Sequence, residues 1–189
     1  MRATSIILTA LGLALPSVVQ AQGLQPAPEH RGFWVGFGLG GGVNLSDFAE
    51  GARAGAGGYV RLGGTISPRF LLGGEISGWG RDVNGSTFTE SGASAVALFY
   101  PAGRGFFVKG GAGFAGWAVS ATAGSTTTTT TAGGFAGTLG AGYDLKIGSN
   151  LYLTPNVDFL LHTMESDNSA FAGISSGQVL LFTLGLTWH

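Results

Sequence analysis

Apolar side chains recur at every second position in eight stretches of this chain. The first stretch places Phe33, Val35 and Phe37 on one face, and the last does the same with Phe182, Leu184 and Leu186. A period of two predicts β-strands with one apolar face and one small or polar face. The predicted strands cover residues 32–44, 56–66, 70–80, 92–100, 106–118, 134–144, 151–162 and 178–189.

The segments between these strands alternate in length. Tight turns are predicted at 67–69, 101–105 and 146–150, and longer polar loops at 46–55, 81–90, 120–132 and 163–177. This alternation is typical of an all-β, eight-stranded antiparallel up-and-down transmembrane β-barrel with short periplasmic turns and longer extracellular loops. The loop 120–132 contains the run Thr126 to Thr131, which is either a flexible polar repeat or an extension of the strands on both sides.

The N-terminus predicts a cleaved signal peptide over residues 1–21. Arg2 precedes an apolar stretch from Ile6 to Val19, and Val19-Gln-Ala21 is a small-residue cleavage site. Residues 22–31 are then a periplasmic lead-in, and residues 32–189 form the barrel. Elsewhere no apolar run is long enough for a transmembrane helix, so a membrane-spanning form of this chain must be a barrel.

Composition narrows the possible functions. The chain has no cysteine, which excludes disulfides, thiolate metal sites and a cysteine nucleophile. Removal of the signal peptide leaves eight basic and ten acidic residues, and this weak net charge does not predict a nucleic-acid partner. Only 10% of residues are charged, whereas soluble domains carry about 25%.

Aromatic residues cluster at the strand ends nearest the short turns, where an interfacial girdle is expected. The predicted girdle consists of Phe33, Phe70, Tyr100, Phe106, Tyr143 and Trp188, with Phe99, Phe107 and Tyr152 at the same level.

These patterns resemble the small eight-stranded outer-membrane barrels of the OmpA, OmpX, opacity and OmpW types, over residues 32–189. The resemblance implies localisation in a bacterial outer membrane, contact with its lipid, and delivery by the barrel-assembly machinery. Phe182, Gly185 and Trp188 are similar to the C-terminal assembly signal of such barrels, although this chain ends on His189 instead of an aromatic residue. No cofactor or metal is expected, and the three histidines are predicted to lie at different depths.

Charged residues on the inward face predict a polar network in the lumen, formed by Arg61, Glu75, Lys109, Asp144 and Asp158. Arg61 and Glu75 lie equally far from the turn at Pro68 and should be cross-strand neighbours. Buried charges must be paired to offset their desolvation, so the network is expected to fill and stiffen the lumen. Eight strands leave room for side chains and not for a pore.

Two other patterns invite a functional interpretation. The runs Gly36 to Gly41 and Gly111 to Gly116 match the dinucleotide fingerprint, but no helix is predicted after either, so nucleotide binding is not expected. Asp158 and His162, with Ser166 or Ser169, suggest a hydrolase. However, residues four apart on a strand are ~13 Å apart, so Asp158 cannot orient His162, and we predict no enzymatic activity.

The predicted role is therefore structural or a surface interaction, with an extracellular partner bound through loops 120–132 and 163–177. The alternatives are a conduit for small solutes or hydrophobic ligands and, third, a lipid-modifying enzyme. A soluble lipocalin-like barrel would reverse the two faces and turn Arg61, Glu75 and Lys109 to water.

Overall fold

The computed structural model describes residues 30–46, 53–164 and 176–189. All regular secondary structure in these residues is β-strand. The predicted signal peptide lies outside this part of the chain. Within the described ranges no helix occurs that could cross a bilayer. The strands are β1 Phe33–Asn44, β2 Arg53–Ser67, β3 Phe70–Val83, β4 Ser86–Phe99, β5 Phe106–Ala123, β6 Thr126–Tyr143, β7 Leu145–Lys146, β8 Leu151–Thr163 and β9 Ser176–Trp188.

The strands form one antiparallel sheet that returns on itself. Each long strand pairs with its sequence neighbours, and β1 also pairs with β9. Pairing of β6 with β8, from Ala136 opposite His162 to Gly142 opposite Asn156, completes the ring. The predicted eight-stranded up-and-down barrel is confirmed, and the two-residue strand β7 is an addition that pairs with the start of β8.

The two faces of the sheet have the orientation that was predicted for a membrane barrel. Val60, Leu62 and Ile76 are exposed on the outside, whereas Arg61, Glu75 and Lys109 are buried inside. The reversed, lipocalin-like arrangement is therefore wrong. Strand β4 is an exception to the apolar exterior, because Val96 and Leu98 point inward and the small side chains of Ala93, Ala95 and Ala97 face outward.

The three short turns lie where they were predicted, on the side of the barrel that also holds both ends of the described chain. Gly32 and His189 are tied to this side by backbone hydrogen bonds to Thr65 and Asn150, respectively. By the predicted topology this is the periplasmic end, and the opposite end is extracellular.

Two segments predicted as extracellular loops are largely strand. Residues 81–90 belong to a hairpin that turns at Asn84 and Gly85, whose φ angles of 50° and 81° fit a type I′ turn. Residues 120–132 belong to the β5–β6 hairpin, in which Ala123 pairs with Thr126 across a Gly124-Ser125 turn. Gly124 has a φ of 62°, as the first position of a type II′ turn requires. Of the two interpretations of the threonine run, strand extension is confirmed.

Candidate functional site

The lumen is filled by side chains from all eight long strands. Three tryptophans occupy it at different levels and are almost fully buried: Trp34, Trp79 and Trp117. Trp34 packs near the periplasmic end with Leu71, Val96 and Phe107, and Trp79 lies nearer the extracellular end. Aromatic rings of this size occupy much of the width of an eight-stranded barrel.

Between these apolar layers, Lys109 bridges two carboxylates. Its Nζ lies 2.6 Å from Oε2 of Glu75 and 2.9 Å from Oδ1 of Asp158. All three side chains are excluded from solvent. Asn156 donates a hydrogen bond to the second oxygen of Asp158. The structure thus brings together three of the five residues predicted to form the lumenal network.

Arg61 lies in the same layer but interacts differently from the prediction. It is opposite Glu75 in the register of β2 and β3, as expected. Both oxygens of Glu75, however, accept from Lys109. The guanidinium carbon of Arg61 lies instead 4.6 Å from the ring centre of Tyr59 and 5.1 Å from that of Phe107. Arg61 therefore interacts with aromatic faces, a contact that favours cations.

Tyr59 covers a place where three strands approach closely. Its ring lies over Gly38 of β1, where an added Cβ would be 2.6 Å from the ring, and its hydroxyl lies over Gly185 of β9. Gly38 belongs to one of the two dinucleotide-like glycine runs, both of which lie inside strands. The glycines of this seam make room for an aromatic ring, a known function of glycine in curved sheets.

A second polar group lies toward the extracellular end. Nδ1 of His162 lies 3.4 Å from Oε2 of Glu90, and Asn44 donates a hydrogen bond to the other oxygen of Glu90. Glu90 is not among the predicted lumenal residues, because it falls in the loop predicted at 81–90. The pair Asn84-Gly85 was the signal that a hairpin continues there. Asp158 and His162 thus have different partners, and Ser166 and Ser169 lie outside the described residues.

A third polar group closes the periplasmic end, and here the structure corrects the predicted places of Tyr100, of Asp144 and of two histidines. Tyr100 was assigned to the girdle, but it is fully buried and its hydroxyl donates to Oδ2 of Asp144 at 2.8 Å. Asp144 is therefore separate from the Lys109 group. His30 and His189 were placed at different depths, yet their ring centres are 4.4 Å apart. Phe107 and Tyr152 are likewise buried and do not belong to the girdle.

The remaining girdle residues are on the outside, at the level that was predicted. These are Phe33, Phe70, Phe99, Phe106, Tyr143 and Trp188. Of the assembly-signal residues, Phe182 and Trp188 face outward on β9, whereas Gly185 faces the lumen under Tyr59.

The surroundings of His30 and Asp144 shift the pKa values of both side chains. Burial lowers the pKa of His30, and the neighbouring His189 lowers it further. Burial alone would raise the pKa of Asp144, but hydrogen bonds from His189, Thr154 and Tyr100 outweigh it and hold that pKa below its ordinary value. Near neutral pH this group therefore contains an ionised carboxylate and a neutral His30 ring.

Comparison with known proteins agrees with this architecture. The sequence matches the family described as outer membrane protein beta-barrel domain over residues 7–188. The structure is similar to Ail, the attachment invasion locus protein of Yersinia pestis, with a TM-score of 0.59, 10% identity, and coverage of 84% of this chain and 98% of that chain. It is also similar to Neisserial surface protein A, with a TM-score of 0.59, 13% identity, and coverage of 82% and 96%.

At these identities the two structures support the fold alone. No curated protein sequence matches this chain. The family match covers nearly the whole sequence and agrees with the closed sheet and its apolar exterior. The chain therefore belongs to the outer membrane protein beta-barrel domain family and is a protein of the bacterial outer membrane.

Proposed function

We propose that this barrel is a surface-interaction protein that presents the β5–β6 hairpin outside the cell. The observation that carries the proposal is the exposure of Thr126 to Thr129, which face solvent on both sides of the strand. In the barrel wall one face is always turned to the lumen. Two-sided exposure therefore marks the part of the hairpin that extends beyond the wall.

The length of this projection follows from the pairing of β5 and β6. Trp117, paired with Ala132, is the last fully buried inward residue of β5. Val119 still packs against Trp117, and the residues exposed on both faces, Thr126 to Thr129, pair with Ser120 to Ala123, which corresponds to about 10 Å along the strand. The hairpin is held together by its backbone ladder and by pairs of hydroxyl groups across it, such as Ser120 with Thr129, whose hydroxyl oxygens are 2.9 Å apart.

The edge of β6 that faces away from β5 is a second feature of the projecting part. Among the described residues, β8 pairs with β6 only from Ala136 inward, so the stretch from Thr126 to Ala132 has a strand neighbour only on its β5 side. Unpaired backbone N–H and C=O groups on such an edge can pair with an extended segment of another chain. We infer that the partner is a polypeptide that adds a strand to this edge.

Charge distinguishes a polypeptide from a sulfated polysaccharide as the partner. Ail has been crystallised with the heparin analogue sucrose octasulfate. Residues 118–135 of this chain contain no charged side chain, so the hairpin lacks the cations that a polysulfated ligand needs.

A filled lumen supports the same role, because a protein without an open path has its accessible chemistry on its outer hairpins. The proposal includes no enzymatic activity. Asp158 contacts Lys109, and His162 contacts Glu90, so neither is positioned to activate the other.

The test is a shortened hairpin. Deletion of residues 119–122 together with 127–130 removes four facing pairs, retains the Gly124-Ser125 turn and preserves which face points inward. A matched control deletes residues 81–82 and 87–88, two facing pairs of the β3–β4 hairpin. Cells displaying each protein are compared for adhesion to surfaces coated with serum proteins or with heparin.

We expect the shortened β5–β6 hairpin to lose adhesion to the protein-coated surface, and the control to retain it. Unchanged adhesion of both variants would contradict the proposal. Loss on heparin alone would exclude a polypeptide partner. Equal surface amounts of folded protein are established first from the mobility shift of the unboiled barrel on an SDS gel.

A further inference from the structure

We propose that His30, Asp144 and His189 form a binding site for a divalent transition-metal ion of the Zn²⁺ type at the periplasmic end of the barrel. One ligand atom from each residue lies within 4.8 Å of the other two. The residues come from three separate places: before β1, between β6 and β7, and after β9. The fold, and not local sequence, brings them together.

An unpartnered nitrogen on His30 points to a ligand. Nδ1 of His30 lies 3.1 Å from the carbonyl oxygen of Pro68. A carbonyl only accepts, so in the neutral ring Nδ1 carries the hydrogen and Nε2 keeps its lone pair. This Nε2 is buried, has no hydrogen-bond partner, and belongs to a side chain that is 1% exposed. A buried acceptor left unpaired is costly, and a metal ion would satisfy it.

The carboxylate of Asp144 is held in place as metal-binding carboxylates are. Thr154 donates to Oδ1 at 2.7 Å, and Tyr100 donates to Oδ2 at 2.8 Å. Such supporting hydrogen bonds, like that from His30 to Pro68, fix the orientation of metal ligands and raise their affinity. The site is therefore oriented by residues that would not themselves bind the ion.

The distance between the two remaining ligand atoms suits a tetrahedral ion. Nε2 of His189 lies 3.3 Å from Oδ2 of Asp144. Metal–ligand bonds of 2.0–2.1 Å place two ligands of a tetrahedral Zn²⁺ about 3.3 Å apart. Nδ1 of His189 has no partner and can carry the ring hydrogen when Nε2 binds the metal. Two imidazoles and one carboxylate, without thiolate, are a Zn²⁺ ligand set whose fourth position is open to water.

The same contacts have a simpler explanation, namely a hydrogen bond between His189 and Asp144 with His30 packed against it. That arrangement leaves Nε2 of His30 unexplained, whereas metal binding uses it. An ion at this position would join the lead-in before β1 to the end of β9 and to the β6–β7 connection.

The first measurement is titration of the purified, EDTA-stripped and dialysed barrel, without a polyhistidine tag, with ZnSO₄ by calorimetry. We expect one ion per chain and a thermal unfolding midpoint that rises with Zn²⁺, because a ligand of the folded state stabilises it. His30→Gln and His189→Gln should each weaken binding about tenfold or more. His162→Gln, which removes the histidine far from the site, should leave the affinity unchanged.

A second readout needs no variant and covers the case in which a substituted barrel does not fold. Co²⁺ added to the wild-type protein should give the intense visible absorption of tetrahedral coordination, and excess Zn²⁺ should remove it. No binding to the wild type, weak octahedral Co²⁺ spectra, or an equal effect of all three histidine substitutions would overturn the proposal.

Discussion

Lys109 is the shared ion-pair partner of two buried carboxylates in the middle of the lumen, those of Glu75 and Asp158. Lys109→Met would leave two buried carboxylates without their cation. We expect a loss of about 3–5 kcal/mol in the free energy of unfolding, the usual cost of breaking a buried ion pair. Urea unfolding of the barrel in detergent micelles measures this loss.

Lys146→Met is the matched control, because Lys146 is exposed in β7. Its effect should stay within about 0.5 kcal/mol. A triple variant that adds Glu75→Gln and Asp158→Asn to Lys109→Met should recover part of the lost stability. Equal stability of Lys109→Met and the wild type would show that the ion pairs add nothing.

His30 makes the stability of the metal-free barrel depend on pH. Its pKa in the folded protein is lowered by burial and by His189, with Tyr100 and Asp144 also facing its ring. The unfolded chain therefore binds a proton more readily, and stability that is complete above about pH 6.5 is lost as the pH falls toward the lower, folded pKa.

The check is the unfolding midpoint in EDTA between pH 8 and pH 5 for the wild type and His30→Gln. We expect the difference between the two proteins to shrink as the pH falls, since only the wild type loses the contribution of a neutral His30. Parallel profiles would mean that the burial of His30 does not affect its titration.

At the scale of the strands, the glycine seam under Tyr59 limits what the wall can accept. A Cβ on Gly38 would lie 2.6 Å from the ring of Tyr59, whereas nothing lies within 4 Å of a Cβ on Gly64. Gly38→Val should therefore cost about 1–3 kcal/mol through overpacking. Gly64→Val, on the outward face of β2, should be neutral or stabilising because valine favours strands.

Unfolding in urea compares the two variants. Both substitutions place the same side chain in a strand, so the effect of strand propensity cancels. The difference between the two free energies of unfolding then measures how little space Tyr59 leaves at Gly38. If Gly64→Val were the more damaging of the two, the close approach at Tyr59 would not be the reason for glycine.

The strands also show which parts of the fold can be predicted from the alternation of apolar and polar residues. Alternation located all eight long strands and their inward charges, because the two faces meet different surroundings along the whole wall. It could not place Tyr100 or bring His30 to His189, since both follow from where the chain turns after a strand has ended. Glu90 was not predicted because polar residues occupy both faces at the start of β4 and hide the period of two.

At the scale of the whole molecule, the closed ring and the filled lumen predict two properties of the purified protein. The unboiled barrel should migrate differently from the boiled one on an SDS gel, because a complete hydrogen-bonded ladder resists the detergent. In planar bilayers it should give no large, stable open channels, since three tryptophans and the Lys109 group occupy the lumen.

A large trimeric porin reconstituted in the same way is the control for insertion. Steady open channels from the pure chain would mean that the side chains inside the barrel rearrange in a bilayer. Identical mobility before and after boiling would contradict a closed ring.

The hairpin from Ala118 to Phe135 has one more consequence, which concerns proteases in the surroundings of the cell. Trypsin-like enzymes cut after lysine or arginine in segments that can be drawn out of their structure, and this hairpin has neither residue and is paired along its length. Cleavage of the outer face by such enzymes is then confined to sites such as Arg53 and Arg81, near the ends of other strands. We therefore expect the threonine surface of the hairpin to resist such enzymes for longer than the arginine-containing ends of β2 and β3.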